Sequence, residues 1–151
     1  MRNKLKSNKK FFYPISTPYI TKKDIYNVNR VLKNGWISSD GPEIKKFEEQ
    51  FSRFIGRKYS VAVSSGTGAL EIAIKAFNIK KNDKVLIPSF TIISNALAVI
   101  KQQAKPVLID CNLKDWNIKI EDIEKNISKK TKAIIITHIC SYPNEMDKIL
   151  K

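Results

Sequence analysis

One stretch of the chain has the residue types and spacing to hold an anion. It reads Val61-Ala62-Val63-Ser64-Ser65-Gly66-Thr67-Gly68-Ala69-Leu70: an apolar run, then small polar residues, then a helical pattern. A helix start offers backbone N–H groups with no intrahelical partner, together with the positive end of the helix dipole. Gly66 and Gly68 let the backbone approach a phosphate with no Cβ in the way. Ser65 and Thr67 add hydroxyl donors. The stretch is not GxGxxG, and it lacks the Gly-Lys-Ser/Thr ending of a loop that grips a nucleoside triphosphate. A capped βα turn without a ligand uses the same residues, so this stretch by itself leaves both readings open.

Two further residues have chemistry to offer. His138 is the single histidine and follows an apolar run; such a residue serves as a polar contact or as a satisfied structural histidine. Trp36 opens the loop Trp36-Ile37-Ser38-Ser39-Asp40-Gly41-Pro42, where an aromatic ring either meets a ligand or fills a core or interface. Cys111 and Cys140 stand far apart in no CxxC pattern, which gives neither a disulfide framework nor a metal signature. With one histidine in the chain, a zinc site is not expected and no metal ligand is assigned.

The elements that must position these residues alternate. Helical spacing runs over Lys22–Asn34, with Thr21 as N-cap, and over Glu43–Ile55, which Gly56 ends. Short apolar runs at Tyr59–Val63, Val85–Ile87, Pro106–Ile109 and Ala133–Thr137 read as strands. Helical stretches at Gly68–Phe77, Ile93–Lys101 and Ile120–Ile127 lie between them. Continuous apolar strands suit a sheet covered on both faces, and strands separated by helices suit βαβ units. The expected fold is therefore α/β, a mostly parallel sheet with flanking helices. Asn144–Lys151 reads as a helix that is just beginning.

Composition narrows the function classes. At 151 residues and 42% hydrophobic, the chain suits a folded domain with a core. No apolar run is long enough to cross a bilayer, so no membrane partner is expected. Met1–Lys10 is strongly basic but leads into Phe11, Phe12, Tyr13 and Pro14 instead of a signal-like apolar core. Residues 1–13 are expected to form a basic flexible arm on a cytoplasmic protein. The net charge is 28 − 14 = +14. The lysines are spread along the chain without interleaved aromatics, so they read as solvated faces, and no nucleic-acid partner is expected.

Read together in order, four segments resemble one family. They are Asn34-Gly35-Trp36-Ile37-Ser38-Ser39-Asp40-Gly41-Pro42, the Ser-Ser-Gly-Thr-Gly-Ala-Leu loop, Asp83-Lys84-Val85-Leu86-Ile87-Pro88-Ser89-Phe90-Thr91, and His138-Ile139-Cys140-Ser141-Tyr142-Pro143-Asn144-Glu145-Met146-Asp147. Their order and spacing are similar to the DegT/DnrJ/EryC1/StrS family of sugar aminotransferases, with the Gly-Trp-Ile-Ser-Ser segment most like the perosamine-synthase-like members. The resemblance covers the chain from about Pro14 onward. It implies the N-terminal part of a fold type I large domain over residues 14–151, which in the family precedes a small C-terminal domain, usually in a dimer. It also implies pyridoxal 5'-phosphate (PLP) as cofactor, and transfer of an amino group from glutamate to a nucleotide-linked keto-deoxysugar.

Carried over by position, the resemblance puts the cofactor phosphate on Ser65, Gly66 and Thr67 and the pyridine ring against Ile92. The family usually has an aromatic residue at the position of Ile92, so here the ring packs without stacking. Trp36, Ser38 and His138 fall at substrate-contact positions. Cys140-Ser141 replaces the family's Tyr-Gly pair, which removes a hydroxyl and strains the turn. The lysine that bonds the cofactor, and the aspartate facing the ring nitrogen, follow the histidine segment in the family, and no residue here matches either. The expectation is thus a truncated chain with no catalytic residue, weak or absent cofactor binding and no activity alone. The alternative is a non-catalytic remnant that associates with a full-length aminotransferase. A homodimer or a complementary chain is the expected protein partner.

Overall fold

The computed structural model describes residue 14 and residues 16–151. The basic arm expected over residues 1–13 lies outside the described residues. The described residues form two compact units, divided between Ala62 and Val63.

In the first unit, α1 spans Lys22–Lys33 and α2 spans Pro42–Phe54. The start of α1 is a reciprocal capping box. The Asp24 N–H donates to Thr21 Oγ1 at 3.2 Å, and the Thr21 N–H donates to the Asp24 carboxylate at 2.8 Å. Donation from the Thr21 hydroxyl, and then from its N–H, holds the Asp24 carboxyl below its ordinary range. At the end of α2, Gly56 takes the left-handed conformation at φ 66°. This lets the Arg57 N–H reach the Ser52 carbonyl at 2.8 Å and close a Schellman turn. The Phe47 and Phe51 rings stack at 5.8 Å along α2.

Tyr59–Val63 corrects the sequence expectation of a strand: no strand forms there. A strand exists only as a member of a ladder, and this run finds a different partner. The Ala62 N–H donates to Glu48 Oε1 at 2.8 Å, and the Ser60 hydroxyl donates to the Glu48 carbonyl. Tyr59 and Val61 remain 75% and 74% exposed, so the apolar residues that suggested a strand are not buried.

In the second unit, α3 spans Gly66–Ala76, β1 Lys84–Pro88, α4 Ser94–Lys101, β2 Lys105–Ile109, α5 Ile120–Asn126, β3 Thr131–Ile134 and α6 Met146–Ile149. The three strands form a parallel sheet in the order β2-β1-β3. Alternation along β1 sends its side chains to two cores. Val85 and Ile87 pack with Ile74 of α3 and with Ala98 and Val99 of α4. Leu86 packs on the other side with Ile109, Ile118 and Ile123 of α5. Helices thus cover both faces of β1, which is why that strand reads as a continuous apolar run. α3 begins two residues earlier than the spacing indicates, because Ser65 accepts the Gly68 N–H at 3.2 Å and winds Gly66 and Thr67 into the first turn.

Two measurements test this account. Leu86 is 1% exposed, so Leu86→Ala is expected to lower the unfolding free energy by about 2–5 kcal/mol, read from urea midpoints. Asp24 has a lowered folded pKa, so its contribution to α1 is present above the unfolded value and is lost as pH falls through the folded one. The stability difference between wild type and Asp24→Asn is therefore expected at neutral pH and to vanish on acidification.

Candidate phosphate site

The strand order reverses at β1. The chain leaves β1 through α4 to β2 on one side, then crosses through α5 to β3 on the other. Open parallel sheets bind ligands outside the carboxyl ends of their strands at such a reversal. Thr91, just past β1, and Thr137, just past β3, meet there with their hydroxyl oxygens 2.9 Å apart. The Asn95 side-chain amide donates to both, at 2.8 Å and 3.0 Å, and Asn95 is 3% exposed. This buried polar bridge ties the carboxyl ends of β1 and β3 to the first turn of α4.

The start of α3 joins the same edge. Thr67 Oγ1 lies 2.9 Å from Ser94 Oγ, at the first residue of α4. The N–H groups of Gly66 and Thr67 stand in the first turn, where no intrahelical acceptor exists. Ser65 has its oxygen committed to the Gly68 N–H, so its own proton remains available. A Cβ built on Gly66 would meet nothing within 4 Å. The protein's own packing therefore does not require glycine at this position, whereas a ligand approaching the backbone would. Two amide donors, two hydroxyls and the positive end of an eleven-residue helix suit a phosphate monoester.

Ile92 follows Thr91 at this edge and is 63% exposed, an aliphatic surface open to a planar group. His138 follows Thr137 and is held by its neighbours. The Asn144 N–H and side-chain amide both approach His138 Nδ1 at 3.1 Å. A backbone N–H can only donate, so Nδ1 is the acceptor and the ring proton sits on Nε2. The turn that follows places Cys140 at φ 49° and Ser141 at φ 65°, two successive left-handed residues where the resemblance has glycine at the second. Asn144 also donates to the Thr137 carbonyl at 2.8 Å, which fixes the turn to the end of β3.

Of the residues singled out from sequence, Ser65, Gly66, Thr67, Ile92 and His138 share the second unit and its carboxyl edge. Trp36 and Ser38 belong to the first unit. Trp36 lines an open hollow of about 570 Å³ with Val28, Val31 and Phe47, beside the Arg30–Glu43 ion pair at 2.6 Å. That pair, chiefly through the Arg30 hydrogen bond, holds the Glu43 carboxyl below its ordinary range. Ser38 is exposed in the loop before α2. Sequence reasoning missed Ser94, Asn95, Thr137 and Asn144, because a polar residue inside an apolar helical or strand pattern gives no sign of its tertiary partner. Among the described residues, no cluster of three or more His, Cys, Asp or Glu side chains could hold a metal. Cys111 and Cys140 are free thiols. No described helix is long and apolar enough to cross a membrane.

A small parallel sheet with helices flanking it, and an anion-receptive helix start at its carboxyl edge, defines an α/β protein. The chain belongs to the DegT/DnrJ/EryC1/StrS aminotransferase family, which it matches over residues 18–151. It is 36% identical over 140 residues to the GDP-perosamine synthase of Escherichia coli O157:H7, covering 93% of this chain and 38% of that protein. Its structure is similar to an aminotransferase from Psychrobacter cryohalolentis, with TM-score 0.80 and 32% identity over 91% of this chain and 35% of the other. It is also similar to the E. coli GDP-4-keto-6-deoxy-D-mannose-3-dehydratase with bound hydrated PLP, with TM-score 0.84 and 26% identity over 91% and 37% of the two chains. The chain thus spans well under half the length of the relatives it matches.

The Gly66 argument gives a direct test. Gly66→Ala is expected to leave stability within about 1 kcal/mol of wild type, since the site has room and alanine favours helix. Binding of inorganic phosphate, followed by ³¹P NMR line broadening, is expected to weaken by about tenfold, the equivalent of about 1.4 kcal/mol. Unchanged phosphate broadening would remove the ligand-approach explanation for this glycine.

Proposed function

We propose that this chain forms the phosphate cradle and part of the substrate wall of a sugar aminotransferase. The reaction in view moves an amino group from glutamate onto the keto carbon of a nucleotide-linked deoxysugar. The observation that carries the reading is the start of α3, with Thr67 and free amides opening at the carboxyl edge of the sheet, in a member of this family. PLP, when bound, supplies the electron sink that amino-group transfer needs. Ser65, Gly66 and Thr67 hold its phosphate, and Ile92 packs against the ring. His138 presents its Nε2 proton to a substrate oxygen, with the tautomer set by Asn144. Trp36 and Ser38 contact the sugar nucleotide. A net charge of +14 suits so anionic a substrate.

No residue of the chain is assigned the covalent role. An amine nucleophile is activated by desolvation or by a neighbouring cation. None of the described lysines is buried. Lys119, Lys125 and Lys148 are shifted upward, each first by the hydrogen bond to its carboxylate partner Asp110, Asp122 or Glu145. These shifts run opposite to what the chemistry asks. In this reading the cofactor lysine comes from polypeptide outside these 151 residues, and the chain by itself does not transaminate. The setting is the cytoplasm.

A second reading, association without catalysis, is favoured by one observation. Ile25, Val28 and Leu32 of α1 and Phe47 and Phe51 of α2 lie exposed on amphipathic helices. Either a second copy or a complementary aminotransferase chain would cover such faces.

The test of the covalent assignment is borohydride reduction of the chain with PLP, followed by peptide mass spectrometry. Substoichiometric label scattered over exposed lysines is expected. One lysine labelled to completion would overturn the assignment and identify a catalytic residue within the chain.

A further inference from the structure

We infer that Ser94 is a positioning residue for the phosphate cradle: its hydroxyl donates to Thr67 Oγ1 and so turns the Thr67 proton toward the ligand. The inference rests on the phosphate reading proposed above and goes beyond it to a residue on a different helix. Ser94 is the first residue of α4, and only 9% of it is exposed. Its oxygen lies 2.9 Å from Thr67 Oγ1, the one hydrogen-bond partner recorded for its side chain among the described residues.

The argument is one of proton counting. Each hydroxyl carries one proton and two lone pairs. If Thr67 donated to Ser94, Thr67 would turn only lone pairs toward an approaching anion, and the contact would be repulsive. If Ser94 donates, the Thr67 proton is free for a phosphate oxygen. Phosphate therefore selects the relay Ser94 O–H to Thr67 Oγ1, and Thr67 O–H to phosphate, in which each bond polarises the next. Burial favours this order, because Ser94 has little water to take its place.

The same contact brings the first turns of α3 and α4 together, so the positive ends of two helices face one edge of the sheet. Ser94 gives no signal in the sequence, where it is a small polar residue inside Ile92-Ile93-Ser94-Asn95-Ala96-Leu97.

The experiment compares the affinities of pyridoxamine 5'-phosphate and pyridoxamine for the full chain by equilibrium dialysis. Neither ligand carries an aldehyde, so the many surface lysines do not trap them. The ratio of the two affinities isolates the phosphate contribution. In Ser94→Ala the ratio is expected to fall by about fivefold to tenfold, the worth of one neutral hydrogen bond, with pyridoxamine affinity unchanged. Ser94→Thr restores the hydroxyl and is expected to restore the ratio and the ³¹P shift of the bound ligand. Ser94→Cys keeps the packing with a weak donor and is expected to behave like Ser94→Ala, which covers the case in which alanine disturbs the fold. A wild-type ratio retained in Ser94→Ala or Ser94→Cys overturns the inference and leaves the phosphate site standing. A wild-type ratio near one overturns the phosphate reading and the inference with it.

Discussion

Two parallel ladders hold β1, one to β2 and one to β3, and the rest of the Val63–Lys151 unit depends on that double pairing. A strand hydrogen-bonded on both edges spends its backbone polar groups within the sheet, so its side chains are free to be apolar on both faces. Val85, Leu86 and Ile87 use that freedom and lie at or below 1% exposure. Parallel pairing also forces each connection to run back across a face of the sheet, which places α4 on one side and α5 on the other. Every strand then ends at the same edge. Thr91 and Thr137 meet there because the register of the sheet brings them there, although they are 46 positions apart in the chain.

That dependence explains what the sequence could and could not disclose. The run Val85–Ile87 was legible because double burial writes itself as unbroken apolar residues, whereas Pro106–Ile109 reads the same way although its Leu108 stays 64% exposed. The start of α3 was legible to within a turn, and the shift to Gly66 followed from one side-chain bond, Ser65 to the Gly68 N–H. Tyr59–Val63 was misread because apolar content reports a preference for burial, whereas a strand needs a neighbour with free donors and acceptors. Glu48, from α2, met those donors instead. The polar bridge through Asn95 was out of reach for a related reason: its partners sit in segments whose adjacency is a product of the fold.

The turn after His138 carries a cost that its surroundings offset. Cys140 and Ser141 in left-handed conformation cost about 1–2 kcal/mol each relative to glycine. Asn144 opposes this with donations to His138 Nδ1 and to the Thr137 carbonyl, and it accepts from the Ile118 N–H at 3.4 Å. Asn117 adds a donation to the Pro143 carbonyl at 3.0 Å. A loop anchored at so many points keeps one shape even when its residues would prefer another. The same bonds that hold the strained turn also fix the orientation and tautomer of the His138 ring.

The cradle proposed for the phosphate contains no cation between Ser64 and Gly68. On that reading this segment's grip is geometric, from amide and hydroxyl protons and from two helix dipoles. A helix terminus contributes about 0.3–1 kcal/mol to an exposed anion. Each hydrogen bond to a charged group adds about 1.5–3 kcal/mol. Such a site recognises a phosphate monoester by counting donors, and misplacing one proton removes a large share of its preference. On the proposed reading, Ile92 would offer a cofactor ring contact area but no stacking, and so little directional hold. Discrimination, on the same reading, falls on the hydroxyl of Thr67 and on whatever fixes the direction of its proton.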